Sequence, residues 1–348
     1  MTKPRGIQFI GTQRSGSNLL RLMLHQLKDI VAPHPPHILL TFNPLLPVYG
    51  DLNTRKNFER LLEDVCSWVE LNPVSWDNVV LNRNELLQAC EAPTLVEIFR
   101  VIYEAAANST NAKYWCCKSM ANGNFAQQLE NGGIEPYYIY LYRDGRDTAL
   151  SFQKALVGEK HIYHLAQKWK TDQETALDLC NTLPKERYIQ VSYETLLHNA
   201  EQVIKDICAG LNVPFQSSFN HYHHSIESKK TSGSGEMWQN VRKPILTDNY
   251  NKYKTQMSKS DLHLFESVAS NTLRTLGYSI EHQDDELQKT FSVDEIDTFT
   301  ALNSSLKQLK RQNGQEKDLS KKKPQEAFLK EIVKRGHQNG LLKPLTKN

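Results

Sequence analysis

Ile7-Gln-Phe-Ile10, followed by Gly11-Thr-Gln-Arg-Ser-Gly16 and then Ser17-Asn-Leu-Leu-Arg-Leu-Met-Leu-His-Gln-Leu27, is the stretch that decides the fold. A short apolar run gives way to two glycines and then to Leu19, Leu20, Met23, Leu24 and Leu27, which recur at helical spacing. This reads as strand, loop and helix. Ser17 or Asn18 stands near the helix start, where short polar side chains satisfy free amides. A loop of this shape aims backbone N–H groups and the positive end of the helix dipole at one place, which suits a phosphate oxygen.

Working outward, the same unit recurs. Tyr137 to Tyr142 is a β-rich run ending at Arg143-Asp-Gly-Arg-Asp147, and Thr148 to Lys154 reads as helix. Arg187 to Val191 gives another short strand. Phe58, Leu61, Leu62, Val65 and Val69 form one stripe in a largely helical stretch over 51–110, and Asp261 to Leu276 is a further amphipathic helix. Strands separated by helices too long for hairpins predict an α/β fold with a mainly parallel central sheet flanked by helices. The composition shifts near Glu281 to Glu286, so the reading is one domain over 1–282 and a basic, partly helical extension over 283–348.

The 348 residues, 39% hydrophobic and 23% charged, can bury a large core. The net charge of +3 hides an asymmetry: residues 1–306 carry −5 and residues 307–348 carry +8. Phe328 is the tail's one aromatic residue, so the tail has no stacking platform and no nucleic-acid partner is expected; it reads as a solvated appendage. The six cysteines include no CxxC pair, which points to a reducing compartment and excludes a zinc finger or a disulfide framework. No run approaches the roughly 18 apolar residues of a membrane span, and the glycine loop begins too early to leave room for a signal segment. A cytoplasmic location is expected.

Gly11 and Gly16 have the spacing of the first part of a Walker A loop, but Ser17 and Asn18 follow where a nucleotide triphosphatase needs Lys and Ser/Thr. The loop's cation is instead Arg14. In the second motif Arg143 stands at the end of a strand and Ser151 sits two turns into the next helix, so both can face one phosphate. The alternative is that Arg143 and Arg146 merely pair with Asp144 and Asp147.

On these two segments the chain resembles the sulfotransferases that use 3'-phosphoadenosine 5'-phosphosulfate (PAPS), over roughly residues 7–278. The resemblance implies a P-loop-like sulfotransferase fold. It implies that Gly11, Thr12, Gln13, Arg14, Ser15, Gly16, Ser17 and Asn18 surround the donor's 5'-phosphosulfate, that Arg143 and Ser151 hold its 3'-phosphate, and that Tyr193 meets the adenine. Gly235-Glu-Met-Trp-Gln-Asn240 is similar to the family's late G-x-W-type segment. Lys229-Lys230-Thr231 stands before it, where cytosolic members carry an Arg-Lys-Gly triplet. Lys118 is similar by position to a lysine that approaches the bridging oxygen, a surface lysine at a strand end being the alternative.

Sulfuryl transfer is an in-line displacement in which the protein positions reactants and neutralises charge, so loop amides, Arg14 and Lys118 can act with no metal required. His221-Tyr-His-His224 is dense in histidine but lacks a carboxylate or cysteine pattern for a metal. The hydroxyl-bearing acceptor needs a general base. His37 ranks first, beside apolar Ile38-Leu-Leu40, then His34, expected to be the more exposed, then His161 and His164. Carbohydrate, lipid, phenol and peptide hydroxyls are all candidate acceptors. A P-loop kinase or nucleotide triphosphatase, and an idle nucleotide-binding scaffold, are the competing readings.

Overall fold

Arg5–Ile10 forms β1, whose last five residues are all buried. In this computed structural model, which describes residues 3–288, 290–313, 320–338 and 340–341, β1 is the middle strand of a five-stranded sheet. The others are β2 (Ile30–Val31), β3 (Tyr114–Cys117), β4 (Tyr137–Tyr142) and β5 (Tyr188–Ser192), in the order β2-β3-β1-β4-β5. Every neighbouring pair is parallel, with Ile7 opposite both Cys116 and Tyr137 and Tyr140 opposite Gln190.

Parallel strands need crossovers, and those crossovers cover both faces of the sheet. Phe9, Cys116, Ile139 and Leu141 pack with the helices Ser17–Leu24 and Ala200–Leu211, whereas Trp115 and Cys117 pack with Arg55–Glu70 and Leu95–Asn108. Alternate residues of β3 thus enter different cores, as the strand period requires. The α/β class and the parallel sheet expected from the sequence are those observed. Because β3 and β4 flank β1, the glycine loop after β1, Lys118 after β3 and Arg143 after β4 emerge side by side at the carboxyl edge, where ligands gather in such sheets.

The tail departs from the expected solvated appendage. The helix Lys323–Gln338 buries Ile332 in the main core, with Phe328, Leu329 and Val333 packed beside it. Gln325 donates to the Trp68 carbonyl at 2.9 Å, and Arg335 pairs with Asp64. The helix Val293–Gln312 stacks Phe299 on His161 and places Asn303 Oδ1 to accept from the Lys160 amide at 2.8 Å. The basic charge count concealed the apolar face of Lys323–Gln338, whose burial docks that helix, whereas Val293–Gln312 is held through buried Asn303 and the Phe299 ring, with Leu302, Leu306 and Leu309 exposed. Among the described residues no helix is long and apolar enough to cross a membrane, and all six cysteines are free.

Candidate active site

The loop's backbone fixes its side chains. Gly11 (φ 110°), Arg14 (φ 74°) and Gly16 (φ 83°) are all left-handed. A Cβ on Gly16 would run into the ring of Tyr193, so glycine is needed for conformation and for the tyrosine's close approach. For an arginine this conformation costs about 1 kcal/mol or more. It directs the Arg14 guanidinium across the edge of the sheet, where Nε donates to Ser151 Oγ at 3.1 Å and Nη2 to the Met237 carbonyl at 3.4 Å.

The second motif reaches back. Arg143 Nη1 donates to the Arg14 carbonyl at 3.3 Å, Nη2 donates to the Asn249 carbonyl at 3.0 Å and to Asp147 at 3.3 Å, and the guanidinium lies 4.5 Å over the Tyr193 ring. Its Nε is buried with no partner among the described residues. Asn249 Nδ2 donates to the Tyr193 hydroxyl at 2.6 Å, tying ring and arginine to one backbone segment. Arg146 is different: it is consumed by Asp144 at 2.7 Å and Glu266 at 2.6 Å. The Arg-Asp pairing considered from sequence is present at both arginines: it consumes Arg146, whereas Arg143 pairs with Asp147 and also reaches the loop.

Lys118 leaves β3 into the same space, buried, with no hydrogen bond or ion pair among the described residues. Burial, with the positive fields of Arg21 and Arg14, lowers its ammonium to about 7. Burial and Arg143 bring Arg14 down to about 10. Three cations with, among the described residues, only Asp147 paired against them form a site that an anionic ligand would stabilise.

Opposite them, His34-Pro-Pro-His37 is pinned by its carbonyls: Trp68 Nε1 donates to Pro36 at 2.6 Å, and Asn72 Nδ2 and Trp76 Nε1 donate to His34 at 3.0 and 2.8 Å. His37 Nδ1 lies 2.7 Å from Ser119 Oγ, which leaves Nε2 as the ring nitrogen without a partner. Burial, then Lys118 and Lys322, push His37 down to about 3. The expected order of exposure is reversed, because His34 is the more buried of the two; both its ring nitrogens lack partners, and burial holds it well below its ordinary range. His161 caps the helix Ile162–Thr182, and His164 meets Thr300 at 3.2 Å; both pack against the tail helix and away from this site.

One cleft of about 980 Å³ is lined by Gln13, Arg14, Gly16, Ser17, Asn18, Lys118, Arg143, Ser151, Tyr193, His34 and His37. A family model described as sulfotransferase family matches residues 6–217, taking in the glycine loop, Lys118, Arg143, Ser151 and Tyr193. The chain belongs to the sulfotransferase family. Two solved sulfotransferase domains share its fold. That of the curacin biosynthetic pathway is 20% identical, with 80% of this chain and 100% of that one covered and a TM-score of 0.53. That of the Synechococcus PCC 7002 olefin synthase is 22% identical, with 77% and 96% covered and a TM-score of 0.51. No curated protein sequence matches the chain.

In this sulfotransferase, three residues expected in the donor loop do not line the cleft. Gly11 sits against the Leu141 carbonyl, Thr12 Oγ1 accepts from Gln173 at 2.8 Å, and Ser15 Oγ is buried without a partner. Lys230 pairs with Asp77 instead of reaching the donor side. Met237, Trp238 and Asn240 of the late segment do line the cleft. The sequence reading passed over Asn249, Ser119 and the tryptophans that pin the histidine turn, since none stands in a motif. Among the described residues no group of three or more His, Cys, Asp or Glu side chains is placed to hold a metal.

Proposed function

We propose that the protein transfers a sulfuryl group from PAPS to a hydroxyl acceptor. The observation that carries this reading is the junction of the two motifs, Arg14 Nε on Ser151 Oγ at 3.1 Å and Arg143 Nη1 on the Arg14 carbonyl at 3.3 Å. One anionic ligand can then bridge the loop after β1 and the helix after β4. The fit to a donor with two anionic groups rests on the unpartnered Lys118 ammonium, the orphaned Arg143 Nε and a cleft with room for donor and acceptor together.

The acceptor oxygen attacks sulfur in line and the bond from sulfur to the 5'-phosphate oxygen breaks. The acceptor proton passes to His37 Nε2, and adenosine 3',5'-bisphosphate leaves with its charge met by Arg14, Lys118 and the loop amides. The Nδ1 contact with Ser119 fixes the imidazole, an orienting third group of the kind that an activated nucleophile requires. The six free cysteines favour a reducing, cytoplasmic setting.

Calorimetric titration tests the donor. Adenosine 3',5'-bisphosphate is expected to bind more tightly than ADP or AMP, and Arg143→Ala to cost about 1.5 to 3 kcal/mol of that affinity, the scale of hydrogen bonds to charged groups. Equal affinity for the bisphosphate and AMP sinks the assignment. Transfer is also expected to continue in excess chelator, because fixed cations supply the charge; an absolute magnesium requirement in the same assay would favour a kinase.

A further inference from the structure

The cleft holds two further cations, and they come from the tail. Lys310, on the helix Val293–Gln312, and Lys322, just before Lys323–Gln338, both line the cleft. Three other tail cations are engaged: Lys307 with Glu159 at 3.1 Å, Lys321 with the Gly233 carbonyl, and Arg335 with Asp64; Arg311, Lys323, Lys330 and Lys334 do not line the cleft. The ammonium groups of Lys310 and Lys322 have no hydrogen bond or ion pair among the described residues. Lys322 stands on the histidine side, where its field reaches His34 and His37, and Lys310 stands on the side of Lys160, whose Nζ gathers the carbonyls of Phe152 and Val157.

The cleft wall also carries the apolar side chains Leu40, Trp68, Leu156, Val157 and Trp238. Gln325 is committed to Trp68; of the carboxylates among the described residues that line the cleft, Asp147 is paired with Arg143 and Glu236 is already engaged, which leaves Glu326, exposed at the rim, against the two ammonium groups. Lys310 rides on a helix docked through Asn303 and Lys322 precedes one docked through Ile332, so their placement belongs to the fold.

From this juxtaposition we infer that the acceptor is an amphipathic anion, its apolar body against Leu40, Trp68 and Trp238 and its acidic group met by Lys322 and Lys310. The inference rests on the transferase reading only in calling this half of the cleft the acceptor's. An acidic group here relieves the repulsion between unneutralised cations. By offsetting Lys322 it also raises the basicity of His37, so that an acceptor of this class strengthens the base that deprotonates it.

The test uses the full-length chain, titrated calorimetrically with 6-phenylhexanoate and with 6-phenylhexanol, each with and without saturating adenosine 3',5'-bisphosphate. The carboxylate is expected to bind at one site, roughly five- to tenfold more tightly than the alcohol, about the size of one charge-assisted contact at a half-buried position. The double variant Lys310→Gln/Lys322→Gln should lose that preference and Lys310→Arg/Lys322→Arg keep it, with bisphosphate affinity unchanged in both. Equal affinity for the two probes, no binding of either, or a preference that survives the glutamines overturns the inference. Failure of the bisphosphate to bind is a separate result, which overturns the donor assignment and leaves the probe comparison readable on the chain alone.

Discussion

Replacing His37 with alanine should lower turnover by about 10² to 10⁴, the usual contribution of a positioned general base, while leaving affinity for adenosine 3',5'-bisphosphate nearly unchanged. His37 takes precedence over His34 because of orientation. Its Nδ1 is held by Ser119 at 2.7 Å and Nε2 remains available, whereas the His34 ring has no partner on either nitrogen to fix it. His37 is also neutral throughout the physiological range, since burial and the cations Lys118 and Lys322 depress it to about 3. A base whose pKa is depressed stays competent at every pH above that value, so no acidic limb near the ordinary histidine pKa should appear in the kcat/KM profile. Steady-state kinetics of His37→Ala, His34→Ala and Ser119→Ala decide the ranking. Near-normal turnover in the first variant with loss in the second would transfer the role to His34, and Ser119→Ala should show a partial loss of kcat with KM little changed.

The part of the site legible in the sequence is the part carried by contiguous strand-loop-helix units. A buried parallel strand must be apolar throughout, and the turn after it must be glycine-rich where an anion approaches backbone, so Ile7 to Asn18 reveals both element and purpose. Tyr137 to Ser151 is legible for the same reason. β2 was not, because two residues carry no periodicity. Nor were Ser119, Asn249 and the Trp68, Asn72 and Trp76 donors, whose roles come only from tertiary contact with a histidine turn or a tyrosine. The tail was misjudged on its charge. Ile332 and Phe328 sit among lysines, and composition alone cannot say that a helix turns its lysines outward and its few apolar residues toward a core. The relative exposure of His34 and His37 failed similarly: flanking prolines suggest an exposed turn, yet three side chains from 68–76 close over its carbonyls.

Lys118→Met should lower turnover by about 10² to 10³, comparable to removing one oxyanion-stabilising donor from a preorganised site, and should also change the pH profile. The lysine is depressed to about 7 because burial comes first, with Arg21 and Arg14 adding to it, and no carboxylate among the described residues offsets them. Only its protonated form can neutralise the oxygen that departs from sulfur. In the free enzyme kcat/KM should therefore fall as pH rises through about 7, while kcat, measured with the anionic donor already bound, should hold to higher pH because that charge raises the ammonium's pKa. The substitution to methionine keeps the length and apolar stem of the side chain, so the buried site loses a charge without gaining a cavity, and folding should survive. In the variant the fall in kcat/KM near pH 7 should vanish along with most of the activity. Lys118→Arg, cationic across the whole range, should carry the plateau to higher pH. A wild-type profile flat from pH 6 to 9, or a methionine variant that keeps the same limb, would assign the titration to another group and reduce Lys118 to a packing role at the end of β3.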